Sequence, residues 1–502
     1  MTYVGATPTT GDFKKLDSIT TSSATTFNLR QGGVAVYPQS ANHCIVSLNG
    51  VIQAPVDAFT IVNDTIVFAS SLASSDVINF ILVLGNVNDI GTPSDDTITA
   101  AKLNNTAISG LSALAATPDD TDELMISDAG TLKRIDYSHL KSSVVNRPNA
   151  LPIIINGDMQ INQRRSSSSS GLTSENGSYI IPDRWAYYMT DVGTYLAGAG
   201  AAGPTDYGFK KSLWLDNTTA KGTLDATSIL AVAQKIEAQD CQLFNWGTSR
   251  AEKITVGFWV KATKTGTNIV ELLQSDSDRI CCQSYTVSST DTWEFKVLNF
   301  PADTSGSVNN DKNEGLEVRF YLAAGSNYSS GTLATTWAAR SNTNRAVGQV
   351  NNADHTDNNW QLAGVQVEIG EFTSSTIPPF QFETVAENLA RCQRYYYKLE
   401  AASGGYFGSG NIDGSNDAQI LVPFPCVMRT SPSAIETNGT ASHYAIRTTS
   451  NVTCDAVPVF SNTDKDRAMV IFKKSSHGIT NQLAAFGRSE NNTAFLAWSA
   501  EL

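Results

Sequence analysis

Three stretches alternate apolar and polar residues with a period of two: Val256, Phe258 and Val260, then Trp293, Phe295 and Val297, then Val318, Phe320 and Leu322. Successive side chains of a strand point to opposite faces, so each stretch predicts a strand with one face in a core. Helical periodicity is scarce, and Ser, Thr, Asn and Gly mark turns about every ten residues. The pattern predicts an all-β chain of several β-sandwich or jelly-roll domains in series. Its 502 residues exceed what one core can hold, and domains of about 100–200 residues would make three or four.

Ser47 to Gln53 reads as a hairpin whose turn, Asn49-Gly50, suits positive φ at both central positions. A second hairpin runs from Ile61 to Phe68 around Asn63-Asp64, and Val77 to Leu84 reads as a buried strand, giving a module over residues 1–90. Residues 91–149 change character. Ala100, Leu103, Ala107 and Leu114 fall at helical steps, a short seam over 98–116 interrupted near Gly110. Isolated helices under about 12–15 residues are marginal in water, so 91–149 is expected to be either a stalk of associated chains or a flexible linker with a nascent helix. A hairpin follows over 123–136, turning at Asp128-Ala-Gly130.

Residues 150–382 read as one large sandwich, in which Ile153 to Arg164 leads into a serine-rich loop at 166–170 and Pro182-Asp-Arg-Trp185 starts the next strands. The inward parity of Trp360 to Ile369 changes at Gly364, which predicts a bulge. Thr384 and Glu387 form a capping box for a helix over 384–399, with Val385, Leu389, Cys392, Tyr396 and Leu399 as its apolar stripe. A C-terminal β domain completes residues 383–502.

The first module, opened by Tyr3-Val-Gly-Ala-Thr-Pro and closed by Asn88-Asp-Ile-Gly-Thr-Pro-Ser-Asp, resembles the N-terminal part of tail fibre proteins of short-tailed phages of marine and cyanobacterial hosts. The hairpin at 123–136 and the run from Ala386 to Lys398 resemble the same family. Gly257-Phe-Trp-Val-Lys-Ala, followed by Trp360-Gln-Leu-Ala-Gly-Val-Gln-Val, is similar to the jelly-roll layout of carbohydrate-binding modules as it recurs in such fibres. The resemblance implies a structural virion protein, made in the host cytoplasm and carried on the phage tail. Residues 1–90 would attach to tail adaptor or nozzle proteins and the stalk would form a homotrimer. The distal β domains, through their loops, would contact a host-surface glycan or outer-membrane receptor. No enzyme is implied; a polysaccharide-depolymerase tailspike and a capsid decoration fibre are the alternatives.

Charged residues make up 17% of the chain and the net charge is −13, so the basic field that holds phosphate backbones is missing and nucleic acid is not an expected partner. No stretch resembles a signal peptide or a run of eighteen apolar residues. Seven cysteines with no Cys-x-x-Cys pair predict buried free thiols.

Ser138-His-Leu-Lys141, Ser174-Glu-Asn176 and Lys264-Thr-Gly266 follow the order of penicillin-recognising serine enzymes. Such enzymes need the first serine at the start of a buried helix, and Pro148 follows too soon, so no catalytic residue is assigned. Asp354-His-Thr-Asp357 and Asp311-Lys-Asn-Glu-Gly315 lack the spacing of a calcium loop. The histidines at 43, 139, 355, 443 and 477 pair with no cysteine at zinc spacing, so neither a metal nor another cofactor is expected. A cutting fibre domain is commonly a β-helix with rungs repeating at about 20–30 residues, and none is found, which favours binding over cutting. Sugar binding uses aromatic faces, with amides and carboxylates for the hydroxyls. Trp246, Tyr328 and Trp337 lie in polar, loop-like sequence and are the candidate carbohydrate contacts, whereas Trp185, Trp293 and Trp360 lie on predicted strands and are expected in the core. Of Tyr395, Tyr396 and Tyr397, at least one is expected to pack inward and one to face solvent or a neighbouring subunit.

Overall fold

The computed structural model describes residues 13–84, 111–114, 116, 118–143, 151–165 and 168–502. They belong to two compact units, Met1–Asp119 and Asp120–Leu502. Most of the helical seam expected over 98–116 lies outside the described residues.

In the first unit Cys44–Leu48 pairs with Val51–Ile52 across Asn49 and Gly50, at φ 51° and 80°. These are the conformations that a two-residue hairpin turn requires and that Asn-Gly tolerates best. Phe59–Val62 pairs with Thr65–Phe68 around Asn63, and Ile78–Val83 lies antiparallel to Cys44–Leu48. Val46, Ile81, Phe27, Phe59, Ile66 and Phe68 join the four-stranded and the three-stranded sheet of this unit into one core.

The second unit starts with the hairpin Glu123–Asp128 and Thr131–Asp136, paired in full register around Ala129 and Gly130, both at positive φ. Its first strand is exposed along its whole length.

The large sandwich follows. β1 (Thr194–Ala201), β2 (Ser212–Thr219), β3 (Ile254–Ala262), β4 (Glu294–Phe300) and β5 (Asn359–Ile369) form a six-stranded antiparallel sheet in the spatial order Ser168–Leu172, β1, β2, β5, β3, β4. A seven-stranded sheet faces it, in the order Glu175–Tyr179, Ala186–Thr190, Ile229–Glu237, Glu314–Ala324, Gly266–Gln274, Arg279–Val287, Ala338–Ala339. Val256, Phe258 and Val260 point inward, as do Val318, Phe320 and Leu322. Phe320 is the hub, its ring 5.0 Å from Phe258, 6.2 Å from Trp185 and 6.4 Å from Trp360 between centroids. The bulge is present: Gly257 opposes Gln366 and Trp259 opposes Ala363, so Gly364 and Val365 share one partner. Gly364 has φ 59°, and a Cβ there would stand 2.6 Å from the Phe209 ring, so both backbone and neighbour call for glycine.

Three expectations need correction here. Trp293 precedes β4 and is half-buried rather than in the core, and Phe295 and Val297 are likewise only partly covered. The alternation is real but its faces are reversed, because register sets Phe295 opposite Trp259, which points away from the core. The serine-rich stretch is not wholly a loop, since Ser168–Leu172 is an edge strand on β1; a ladder needs only backbone groups, which serine supplies as well as valine does. Finally, the helix spans Val385–Gln393 and stops well before 399. Its Thr384–Glu387 capping box is intact. Tyr396–Glu400 is instead a strand paired with Phe495–Ser499, because a run of aromatic residues that fits a pleated surface has a distant ladder partner. Tyr395 and Tyr396 are consequently buried, and Tyr397 packs against Phe424 and Trp498 while staying partly exposed.

The C-terminal domain encloses Ile420, Val470, Phe472 and Trp498 between a seven-stranded and a three-stranded sheet. All seven cysteines are unpaired, six of them buried and Cys426 partly exposed.

A buried polar network ties this domain to the sandwich. Asn156, fully buried, donates from Nδ2 to the carbonyls of Ile161 (2.9 Å) and Asp183 (3.0 Å) and accepts from the Ile161 amide (2.9 Å). Glu237, also fully buried, accepts two bonds from Arg394 at 2.7 and 2.8 Å and one from the Tyr395 hydroxyl at 2.6 Å. Burial alone would raise the Glu237 carboxyl, but the Arg394 and Tyr395 bonds outweigh it and hold the group below the usual glutamate range. With the folded pKa below the unfolded one, this contribution is present above the unfolded value of about 4.3 and is lost as pH falls through the folded value. Glu237→Gln is therefore expected to lower stability at neutral pH by about 1.5–3 kcal/mol. The gap to the natural chain should close on acidification, as unfolding curves across pH will read.

Candidate functional site

The three aromatic residues singled out in the sequence do not share one surface. Trp246 is buried, its ring set between Phe244 at 4.8 Å and Trp337 at 5.0 Å. Trp337 packs beside it, partly covered, and donates its indole N–H to the Pro301 carbonyl at 2.7 Å. Tyr328 belongs to a different cluster, with Tyr321, Ile280 and Ala346, beneath which Arg345 grips the buried Glu271 carboxylate at 2.7 and 2.5 Å.

A set of aromatic side chains the sequence reading passed over gathers instead on the outer face of the six-stranded sheet. Because Phe258 and Val260 point into the core, Trp259 between them points out. It faces Phe295 of β4 across the ladder at 5.2 Å between centroids, and Tyr207, from the short helical turn Thr205–Tyr207, lies over it at 4.1 Å. Tyr207 is 61% exposed, so this stack opens to solvent. On β2, Leu213 and Leu215 point inward and Trp214 outward. Its partner on β1 is Gly198, where a Cβ would stand 2.4 Å from the indole. The ring therefore lies flat over a bare stretch of backbone, one face supported by the sheet, and it remains partly exposed.

The ladder joins these rings. Trp214 opposes Gln361 of β5, and Gln361 opposes Lys261 of β3. Neighbouring strands lie about 4.8 Å apart, and Lys261 and Trp259, two residues apart on one strand, about 7 Å, so the row spans room for an oligosaccharide. Asp216 shares the face two residues from Trp214, and burial pushes its carboxyl above the usual aspartate range. The opposite end of the face is closed by the returning chain, with Ile377 over Gly257 and Gln366 Nε2 donating to the Pro378 carbonyl at 3.0 Å. Flat rings, an amide, an ammonium and a carboxylate on one rigid face are what a sugar's apolar and hydroxyl sides require.

The enzyme-like and metal-like patterns are occupied in other ways. Lys264 pairs with Asp354, which also accepts from Asn358 at 2.7 Å. Asp311 accepts from the Asn313 amide at 2.9 Å within its own turn. Among the described residues no group of three or more His, Cys, Asp or Glu is placed to hold a metal ion. The signal that could have found the outer face was an aromatic residue in the solvent-facing register of an alternating strand, as in Leu213-Trp214-Leu215 and Phe258-Trp259-Val260.

No family model matches the chain, and no curated protein does. Among solved structures it is similar to a domain described as the enzymatically active domain of bacteriophage CBA120 tailspike protein 4, at 13% identity and a TM-score of 0.22, over 43% of this chain and 21% of that one. It is similar to a CBM4 structure at 13% identity and a TM-score of 0.21, over 43% of this chain and 97% of that one. A tandem CBM22 structure from Paenibacillus barcinonensis shares 10% identity at a TM-score of 0.19, over 67% of this chain and 99% of that one. At such scores none of them places a ligand on this chain.

Proposed function

We propose that the chain is a phage attachment fibre that holds a host-surface glycan, without cutting it, on the outer face of its six-stranded sheet. The observation that carries this reading is Trp214 lying flat on Gly198, in one ladder row with Gln361 and Lys261 and beside the Tyr207–Trp259–Phe295 stack. Virion attachment through residues 1–90 rests on the resemblance of that module to tail fibres. Association of three copies rests on the same resemblance and on the hairpin at 123–136. A two-stranded hairpin is marginal by itself, and Leu124, Met125 and Ile126 on this one are 41%, 69% and 38% exposed.

Purified full-length chain is expected to sediment as a trimer and to block phage adsorption to host cells while host polysaccharide keeps its length. Release of oligosaccharides, abolished by replacing a single Asp or Glu, would establish the depolymerase alternative in its place.

A further inference from the structure

The outer face carries a cation that has no partner among the described residues. Lys261 sits between Gln361 and the ring stack and makes no hydrogen bond or ion pair among the described residues. Three other lysines of the sandwich are paired, Lys253 with Glu371, Lys264 with Asp354 and Lys296 with Glu294; what sets Lys261 apart is its place beside the rings and Gln361. The carboxylate nearest in the ladder, Glu294, pairs with Val260, so it follows the core-facing register, and it is further occupied by the amides of Ser288 (2.8 Å) and Ser289 (2.9 Å). Asp216 shares the face but stands two strands away and further along, on the order of 10 Å from Lys261 by strand spacing. In a chain of net charge −13, an ammonium left unpaired beside aromatic rings and an amide is a site for a ligand's charge.

We propose that the ligand of this face is an acidic glycan, a pyranoside bearing a carboxylate or a sulfate, with Lys261 as the partner of its anionic group. The inference rests on the platform reading above and adds the ligand's charge. Apolar ring faces of the sugar would stack on Trp214 and on the Tyr207–Trp259–Phe295 group. Gln361, midway along the row, would meet a hydroxyl, and the Nζ of Lys261 would donate to the acid. Lysine acts here as a point charge, so it accepts either anion without demanding a planar one.

Binding of full-length chain to matched polysaccharide pairs separates the possibilities: polygalacturonate against its methyl ester, and a sulfated galactan against the same polymer desulfated. The natural chain should bind the charged member of at least one pair about 10-fold more tightly or better, and which pair responds tells carboxylate from sulfate. Lys261→Gln should remove the preference and Lys261→Arg keep it, with unfolding midpoints unchanged because the side chain holds no other group. Equal binding of both members by the natural chain, or a preference that survives Lys261→Gln, would overturn the acidic-ligand inference and leave glycan binding at the platform standing. If no polymer binds and Trp259→Ala leaves retention on host envelopes unaltered, the platform reading itself fails, and this inference with it.

Discussion

Replacing Trp214 and Trp259 together by alanine is expected to weaken binding of the single chain to host glycan by a hundredfold to a thousandfold. An aromatic anchor at the centre of a binding face is commonly worth about 2 kcal/mol, and two of them on opposite sides of one strand act on the same ligand, so their losses compound. The effect should be read on dissociated chains or at low site density, because several tips on one particle would let weak contacts hold by avidity. Stability is expected to change much less, since both rings are only partly covered and neither belongs to the core around Phe320. A subtler variant isolates geometry from chemistry. Gly198→Val leaves both tryptophans in place but puts a branched side chain where even a Cβ would stand 2.4 Å from the Trp214 indole. The ring must tilt off the sheet, so binding should fall while the aromatic content is unchanged, and a shift in tryptophan emission should accompany it. Unaltered binding in both variants would remove the outer face from consideration.

That face shows where sequence reading reaches its limit in this chain. The turn at Asn49-Gly50 was legible because its cause is local: two adjacent residues that tolerate positive φ. The bulge at Gly364 was legible for a similar reason, a change of parity within one strand. Alternation also located the strands, but a period of two says only that there are two faces, not which one is the core. For β3 the aliphatic neighbours of Phe258 settled the choice, whereas in β4 Phe295 went to the outside, because the register with Trp259 put it there. The site depends on still less local facts. Trp214, Gln361 and Lys261 become neighbours only because β2, β5 and β3 lie side by side, an order that the chain reaches after a long excursion through the other sheet. The end of the helix was missed for the same kind of reason: Tyr396 finds its partner in Ser499, far along the chain, and a ladder formed at that distance outweighs a local apolar stripe.

The second large effect concerns the joint between sandwich and C-terminal domain. Arg184→Ala is expected to destabilise the second unit by about 3–5 kcal/mol, the usual cost of breaking a buried ion pair from one side. Arg184 is almost completely buried, pairs with Glu501, donates to the Lys235 carbonyl at 2.6 Å and lies 3.4 Å over the Tyr395 ring. Alanine would remove all three contacts at once, leave a cavity under Tyr395, and strip the buried Glu501 carboxylate of one of its two arginines, the other being Arg164 at 3.1 Å. Arg164 cannot compensate fully, since it already serves Asp183 and stacks on Tyr396 at 3.7 Å. Arg184→Lys tells the charge from the shape: it keeps an ammonium for Glu501 but loses the planar stack and the second donor, so it should fall between the two. Denaturant unfolding gives the sizes, and limited proteolysis near the joint shows whether the C-terminal domain loosens first. If Arg184→Ala unfolds at the same midpoint as the natural chain, the Arg184 contacts contribute nothing net, and the joint is held by the Glu237–Arg394–Tyr395 bonds and the packing of Tyr395 and Tyr396.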